Sequence, residues 1–193
     1  MAFEKSLFER LKKLEFRESD RDEFYAGSYP LFLEFFHKRI AVRTISEEDA
    51  KIGIFLVYGW MAPAKLDVRK LRNFQLAKPG LLKALSGVLD ESELVHIVNF
   101  VGGSLIATSK YLHLMNPEQF GIWDRRVALA GYGHHHHYQI KRPKTYLEYL
   151  VDLRYLKLPD ELLQRIKSLM PESTEMRLKE FALFHLGIQE AGK

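Results

Sequence analysis

The feature that most constrains the fold is the spacing of apolar residues, which repeats every three or four positions along most of the chain. At the start, Phe3, Leu7, Leu11 and Leu14 follow one another at steps of four, four and three, which places them on one face of an α-helix. No stretch shows the sustained alternation of apolar and polar residues that a half-buried β-strand requires. The sequence therefore predicts an all-α fold, a compact multi-helix domain without a sheet.

Capping residues, prolines and glycines predict where the helices begin and end. Ser46, Asp90, Ser104 and Asp124 each precede an apolar helical stretch, so each is expected to cap a helix N-terminus. Further starts are predicted at Ser28 before Tyr29-Pro30, at Thr145 with Glu148 as a capping box, at Pro159, and at Ser173 or Thr174. A basic helix is expected over residues 65–78 and should end at Pro79-Gly80, and Gly131 and Gly187 are expected to end two later helices.

Length and composition restrict the class of protein. A chain of 193 residues is expected to form a single domain, or two merged helical lobes, with a sizeable core. No apolar run reaches the roughly 18 residues of a membrane-spanning helix, and the N-terminus lacks the features of a signal peptide. The absence of cysteine excludes a disulfide framework and cysteine-ligated zinc. We therefore expect an intracellular, cytoplasmic protein without membrane association.

The net charge of +4 is concentrated in one segment. Residues 121–146 carry five basic side chains and a single acidic one, Asp124, whereas the rest of the chain is balanced. This local excess predicts a surface for nucleic acid, with double-stranded DNA as the expected partner, and a solvated basic loop is the alternative. The five basic residues are Arg125, Arg126, Lys141, Arg142 and Lys144.

The same segment contains four consecutive histidines, His134, His135, His136 and His137. The first and the last are three positions apart and could both face a metal ion from one helix, but no nearby carboxylate completes a ligand set. We interpret the run as a solvent-exposed or phosphate-facing loop, and we expect neither a metal nor another cofactor. His96 and His113 lie on apolar helices and are expected to be core or rim residues.

The order of motifs in residues 99–133 is similar to that of a known family. Gly102-Gly103 precedes a helix capped by Ser104, Asn116-Pro117 ends that helix, and Asp124 stands at the start of the next one. This order resembles the core of the helix-hairpin-helix DNA glycosylases, the base-excision superfamily that includes endonuclease III and the adenine-removing mismatch glycosylases. The resemblance covers about 35 of the 193 residues and implies that Asp124 is the catalytic carboxylate.

The match to the glycosylases is incomplete. Gly103 and Ala107 match the second hairpin glycine and the small residue of the following helix, but Val101 stands where the family has its first hairpin glycine. Leu105 occupies the position of the Schiff-base lysine of bifunctional members, and Lys110 lies five residues further along. The resemblance therefore implies a monofunctional glycosylase without lyase activity.

A second resemblance carries no activity with it. Three short motifs are similar to those of small uncharacterised microbial and phage proteins: Tyr58-Gly59-Trp60-Met61, Ser109-Lys110-x-Leu112-His113 and Ile122-Trp123-Asp124.

The glycosylase resemblance implies three kinds of site residue. Asp124 would stabilise positive charge on the sugar as the base leaves. An extruded base would enter an aromatic pocket lined by Trp123, Tyr132 and Trp60. DNA phosphates would be bound by Gly102, Gly103, Ser104, Arg125 and Arg126, together with Lys141, Arg142 and Lys144.

Two other interpretations stay open beside the enzyme. The chain could be a non-enzymatic nucleic-acid-binding module that uses the same basic segment only for phosphate contact. It could equally be a helical scaffold or interaction domain in which Asp124 is only a helix cap, because Asp is favoured at that position. Only the enzyme predicts base release that depends on Asp124.

Overall fold

A computed structural model describes residues 3, 6–15, 20–42, 44–61, 65–133 and 137–192. These residues form helices joined by short connections and include no strand, so the predicted all-α fold is confirmed. A π-helix (Phe36–Ile40) continues α2, and a 3-10 helix (Val68–Lys70) precedes α4. The α-helices are α1 (Leu7–Lys12), α2 (Asp20–Phe35), α3 (Glu47–Trp60), α4 (Phe74–Ala84), α5 (Glu91–Phe100), α6 (Leu105–Met115), α7 (Arg125–Tyr132), α8 (His137–Ile140), α9 (Pro143–Tyr155), α10 (Asp160–Leu169) and α11 (Glu175–Ala191).

The last helix, α11, lies at the centre of the second half of the chain. Nearly every residue from 176 to 187 is buried, which is typical of a helix surrounded by others. Helix α7 packs along it more extensively than any other helix does, and α1, α9 and α10 also contact it. The closest approach is at Gly187, where an added Cβ would lie 2.1 Å from the carbonyl oxygen of Arg126. The prediction that Gly187 ends a helix is therefore wrong: it is a packing glycine inside α11.

The first half of the chain forms a second group of packed helices. Helix α4 lies against α5, and α3 lies against α6, where the Tyr111 hydroxyl donates to the Ala50 carbonyl oxygen at 3.3 Å. Helix α6 connects the two halves. It packs against α2 and α3 of the first half, and the chain that follows it leads to α7 of the second half. None of the helices in the described ranges has both the length and the apolarity needed to cross a membrane.

Several predicted helix starts are confirmed by side-chain caps. Ser46, Asp90, Ser104 and Asp124 each accept a hydrogen bond from a backbone N–H in the first turn of the helix that follows. Asp90 also forms a complete capping box with Glu93. These positions were predictable because a cap depends only on residues within one turn.

Three helix boundaries close to prolines differ from the predicted ones. Helix α2 begins at Asp20 and contains Pro30, so the predicted start at Ser28 is wrong. The predicted helix over residues 65–78 is also wrong, since α4 begins only at Phe74 and continues through Pro79. One face of α4 is buried against α5, and this tertiary packing outweighs the hydrogen bond lost at the proline. Pro143 opens α9, two residues before the predicted start at Thr145, because a proline at the first helical position has no N–H to leave unpaired.

Candidate functional site

The segment that leads to Asp124, residues 120–123, is buried although it belongs to no helix. Two side chains of α6 fix its ends. The Nδ1 atom of His113 lies 2.6 Å from the carbonyl oxygen of Phe120. The Ser109 hydroxyl accepts a hydrogen bond from the Trp123 backbone N–H at 3.0 Å and lies 3.2 Å from the Trp123 carbonyl oxygen. The segment is thereby attached to α6 at its first and last residues.

Two tyrosines of α9 hold the middle of the same segment. The Tyr146 hydroxyl donates to the Gly121 carbonyl oxygen at 3.1 Å, and the Tyr149 hydroxyl donates to the Ile122 carbonyl oxygen at 2.9 Å. The carbonyls of Phe120, Gly121 and Ile122 therefore each have a side-chain partner, which lowers the free-energy cost of burying irregular backbone. The position of the following residue, Asp124, is consequently fixed from two helices.

Asp124 caps α7 through one carboxylate oxygen. Its Oδ1 atom accepts hydrogen bonds from the backbone N–H groups of Arg126 at 2.8 Å and Val127 at 3.0 Å, so the predicted cap is confirmed. Oδ2 has no hydrogen-bond partner among the described residues, and the side chain is half-buried. One carboxylate thus has an oxygen engaged in the fold and an oxygen available for a ligand, and its catalytic role stays a prediction.

A buried ion pair lies beneath this carboxylate. Arg177 and Glu180, one turn apart on α11, are paired with each other and almost wholly buried. Burial raises the pKa of Glu180, Arg177 opposes the rise, and the neighbouring Asp124 carboxylate adds to it. The guanidinium of Arg177 also lies 5.4 Å from the centre of the Tyr29 ring, and its Nε has no hydrogen-bond partner within the described residues. Asp124 therefore interacts electrostatically with a charged pair inside the fold.

Lys110 belongs to the same group of charges. It is half-buried on α6, its Nζ lies 4.9 Å from the centre of the Trp60 ring, and its charge acts on Glu180 together with that of Asp124. In the sequence, Lys110 stands out only as a departure from the glycosylase pattern, and Arg177 and Glu180 were not predicted as site residues. The spacing of three positions allows Arg177 and Glu180 to pair on one helix, but it does not indicate that the pair is buried.

A further hydrogen-bonded chain connects this group of charges to α2. A carbonyl oxygen can only accept, so Nδ1 of His113 carries the hydrogen that is donated to Phe120. Nε2 then accepts from the Tyr29 hydroxyl at 2.7 Å. Burial lowers the pKa of His113 to about 3, which keeps the imidazole neutral, and burial also raises the pKa of Tyr29. His113 is a core residue, as expected, and positions the segment that carries Asp124.

The three aromatic residues predicted to line a base pocket are all buried. Trp123 and Tyr132 are in contact, with ring centres 6.1 Å apart, and their polar atoms donate to the Ile140 carbonyl and to Asp152 respectively. Trp60 belongs to a different group, in which Tyr29 and Phe32 are its described ring partners. The fold therefore brings Trp123 and Tyr132 together and places Trp60 beside Lys110; their role in a base pocket stays a prediction.

The turn between α5 and α6 contains the predicted glycine pair. Gly102 and Gly103 adopt φ values of +88° and +78°, which side chains other than glycine rarely adopt. Ser104 then caps α6 by accepting from the Ala107 N–H at 3.2 Å. At Gly102 an added Cβ would also meet the Tyr58 hydroxyl at 3.0 Å. These residues form a tight turn between two helices, and phosphate binding by the turn stays a prediction.

The basic residues predicted to bind DNA are exposed. Arg125 and Arg126 form the first turn of α7, directly after Asp124, and Lys141, Arg142 and Lys144 surround the start of α9. The predicted stop at Gly131 lies two residues too early, since α7 runs to Tyr132 and Gly133 takes the left-handed conformation with φ 65°. Both basic groups therefore lie at helix starts and in solvent.

The histidine run is mostly outside the described residues, which include only the last of the four, His137, at the start of α8. Among the residues that are described, no cluster of three or more His, Asp or Glu side chains has a metal-binding arrangement. The expectation of no metal at the run stays a prediction.

Comparisons with known proteins do not assign the chain to a family. No family model, no curated protein and no solved structure matches it. Its function therefore has to be inferred from the residues around Asp124.

Proposed function

We propose that this chain binds DNA and hydrolyses an N-glycosidic bond with Asp124 as the catalytic carboxylate. One observation carries the proposal: Asp124 is held by a buried segment in which each residue is hydrogen-bonded to a side chain of α6 or α9, yet its Oδ2 has no partner among the described residues. A carboxylate that served only as a cap would not need this support, because caps on ordinary loops are common. Rigid positioning of one reactive group is what catalysis requires.

The chemistry requires a carboxylate at this place. When the C–N bond breaks, its electron pair stays on the base nitrogen, and positive charge develops on the sugar. The Asp124 carboxylate would stabilise that charge and accept a proton from the water whose oxygen bonds to the sugar carbon. The base nitrogen gains a proton from solvent, so the net reaction is addition of water. Leu105, in place of the Schiff-base lysine, supports hydrolysis without strand cleavage through that position.

DNA binding is supported by the exposed charges next to this carboxylate. Arg125 and Arg126 follow Asp124 directly at the start of α7, and their exposed guanidinium groups can contact phosphates. Cations beside a reactive carboxylate would bring the phosphates of a strand to it while leaving the sugar within reach.

Replacing Asp124 with Asn tests the proposal. Asn caps a helix about as well as Asp, so the free energy of unfolding should change by only about a few tenths of a kcal/mol. The variant should lose excision by at least about a hundredfold, because the charge that stabilises the sugar cation is gone. Excision is measured on duplexes that each carry one modified base, with alkali cleavage of the abasic strand as the readout.

Asp90→Asn is the matched control, because Asp90 also caps a helix through its carboxylate but lies at the opposite end of α5 from the glycine turn. It should excise at the wild-type rate. If the well-folded wild type excises no base, or if Asp124→Asn excises as fast as the wild type, Asp124 is a helix cap and the proposal fails.

A further inference from the structure

Lys110 is held in a defined place by an aromatic ring. Its ammonium lies 4.9 Å from the centre of the Trp60 ring, a distance at which the ring face attracts a cation. The ring is itself fixed, since Trp60 is buried and its Nε1 donates to the Ser28 hydroxyl at 3.1 Å. The charge of Lys110 is therefore positioned by the fold, unlike that of a lysine in solvent.

The same part of α6 carries the attachment of Asp124. Ser109 is hydrogen-bonded to Trp123, and the next residues along the two stretches are Lys110 and Asp124. Consecutive Cα atoms are 3.8 Å apart, so the Cα atoms of Lys110 and Asp124 both lie close to the hydrogen bond between Ser109 and Trp123. Both charges also act on the same buried carboxylate, that of Glu180. Lys110 and Asp124 thus provide a positive and a negative charge in one electrostatic environment.

Glu180 already has a cation of its own. It is paired with Arg177 inside the fold, and the charge of Lys110 adds to the stabilisation of that carboxylate. A positioned, half-buried cation beside a candidate catalytic carboxylate suits a substrate on which both signs of charge develop. Breaking an N-glycosidic bond creates such a substrate, because the sugar becomes positive while the base becomes negative.

We propose that Lys110 binds the departing base, stabilising its negative charge while Asp124 stabilises the sugar; this inference rests on the function proposed above. The electron pair of the C–N bond moves to the base nitrogen, which the ammonium of Lys110 faces. Lys110 keeps its proton, solvent protonates the free base, and water supplies the hydroxyl of the sugar. Lys110 is therefore a charge-stabilising group and forms no bond to the sugar.

The test compares the wild type, Lys110→Met and Lys110→Arg on two matched duplexes. One duplex carries a base that the wild type excises, and the other carries a fluorinated analogue of that base, which leaves more easily because fluorine withdraws electrons. Lys110→Met should lower kcat about a hundredfold on the normal base, as expected for removal of one positioned charge-stabilising group. The loss should be much smaller on the fluorinated base, and Lys110→Arg, which keeps the charge, should recover most of the activity.

Lys167→Met is the control for loss of one positive charge, because Lys167 is an exposed residue of α10. It should leave both rates unchanged, and the circular dichroism of all variants should match the wild type. If Lys110→Met does not fold, Lys110→Arg with the two duplexes still tests the inference, since a retained charge predicts retained excision of both bases.

Three results would overturn the inference while the proposed function stands: unchanged excision by Lys110→Met, an equal loss on both duplexes, or a borohydride-trapped covalent adduct at Lys110. An equal loss would mean that the side chain only supports the fold, and an adduct would mean that it acts as a nucleophile. No excision by the wild type would instead contradict the proposed function, and the inference would fail with it.

Discussion

At the scale of single residues, His113 shows how one side chain fixes a site without taking part in it. Its imidazole is fully buried, donates to the Phe120 carbonyl and accepts from Tyr29. Both hydrogen bonds require the neutral ring in one tautomer. Protonation would put a hydrogen on Nε2, against the tyrosine that donates to it, and would place a charge in a buried environment.

This arrangement predicts how stability depends on pH. The pKa of His113 is about 3 in the folded protein and ordinarily about 6.5, so below pH 6.5 the unfolded chain binds a proton that the folded chain excludes. The stability contributed by the neutral ring is complete above pH 6.5 and decreases as the pH falls towards 3. The decrease should reach about 1.4 kcal/mol per pH unit, measured by urea unfolding between pH 7 and pH 4.

His113→Gln is the control for this dependence. A glutamine amide can donate to a carbonyl and accept from a tyrosine, but it does not titrate. The wild type should therefore be the more stable protein at pH 7, and the difference in free energy of unfolding should shrink on acidification. A difference that stays constant from pH 7 to pH 4 would show that His113 does not titrate as its burial predicts.

At the scale of elements, the contact between α7 and α11 positions the start of the helix that Asp124 caps. Gly187 allows it, since a Cβ there would meet the Arg126 carbonyl oxygen at 2.1 Å. The Arg126 carbonyl belongs to the backbone of α7, so it cannot rotate away from an added Cβ as a side chain could. Gly187→Ala should therefore destabilise the protein by about 1–3 kcal/mol or more, measured by urea unfolding, and should also slow excision by shifting α7.

The control for this substitution is Gly59→Ala. Gly59 is exposed inside α3, and an added Cβ would have no atom within 4 Å. Alanine is the better helix former there, so the change should stabilise by up to about 1 kcal/mol. If both substitutions have the same sign, the close contact between α7 and α11 is not what Gly187 provides.

The elements that the sequence predicted well are those with local determinants. Caps such as Ser104 and Asp124 depend on a single turn, and each was found from a few neighbouring residues. Pro79 and Gly187 were misinterpreted because their role is set by helices that are distant in the sequence, α5 for one and α7 for the other. A proline or glycine does not end a helix when tertiary contacts bury one face of that helix.

The same distinction between local and distant determinants applies to the candidate site. Asp124 was predictable from its motif, whereas Glu180, which shares its electrostatic environment, is 56 positions further along the chain. Helix α11 is buried on nearly all sides, so its sequence has no apolar stripe that would separate an inner from an outer face. Without such a stripe, periodicity could not indicate that Arg177 and Glu180 point inwards.

At the scale of the whole molecule, charge is distributed unevenly over a helical protein that is otherwise balanced. The excess of +4 lies in residues 121–146, and its side chains are exposed at the starts of α7 and α9. Exposed charges of one sign attract a polyanion over several ångströms, and binding then releases the counterions of the phosphates. The excess adjoins Asp124, so binding and the proposed chemistry would occur on one face.

This excess of positive charge should determine how DNA binding depends on salt. Replacing Arg125 and Arg126 with Ala removes two cations next to Asp124, and DNA affinity should fall because two phosphate contacts are lost. The plot of log Kd against log salt should become flatter by about one unit for each contact, measured with a fluorescent duplex over a range of salt concentrations. The control is Lys38→Ala with Lys167→Ala, two exposed lysines elsewhere, which lowers the net charge equally and should leave the slope unchanged. An equal effect of both double variants would show that net charge alone attracts DNA, and an unchanged slope in Arg125→Ala/Arg126→Ala would remove this surface from the DNA-binding site.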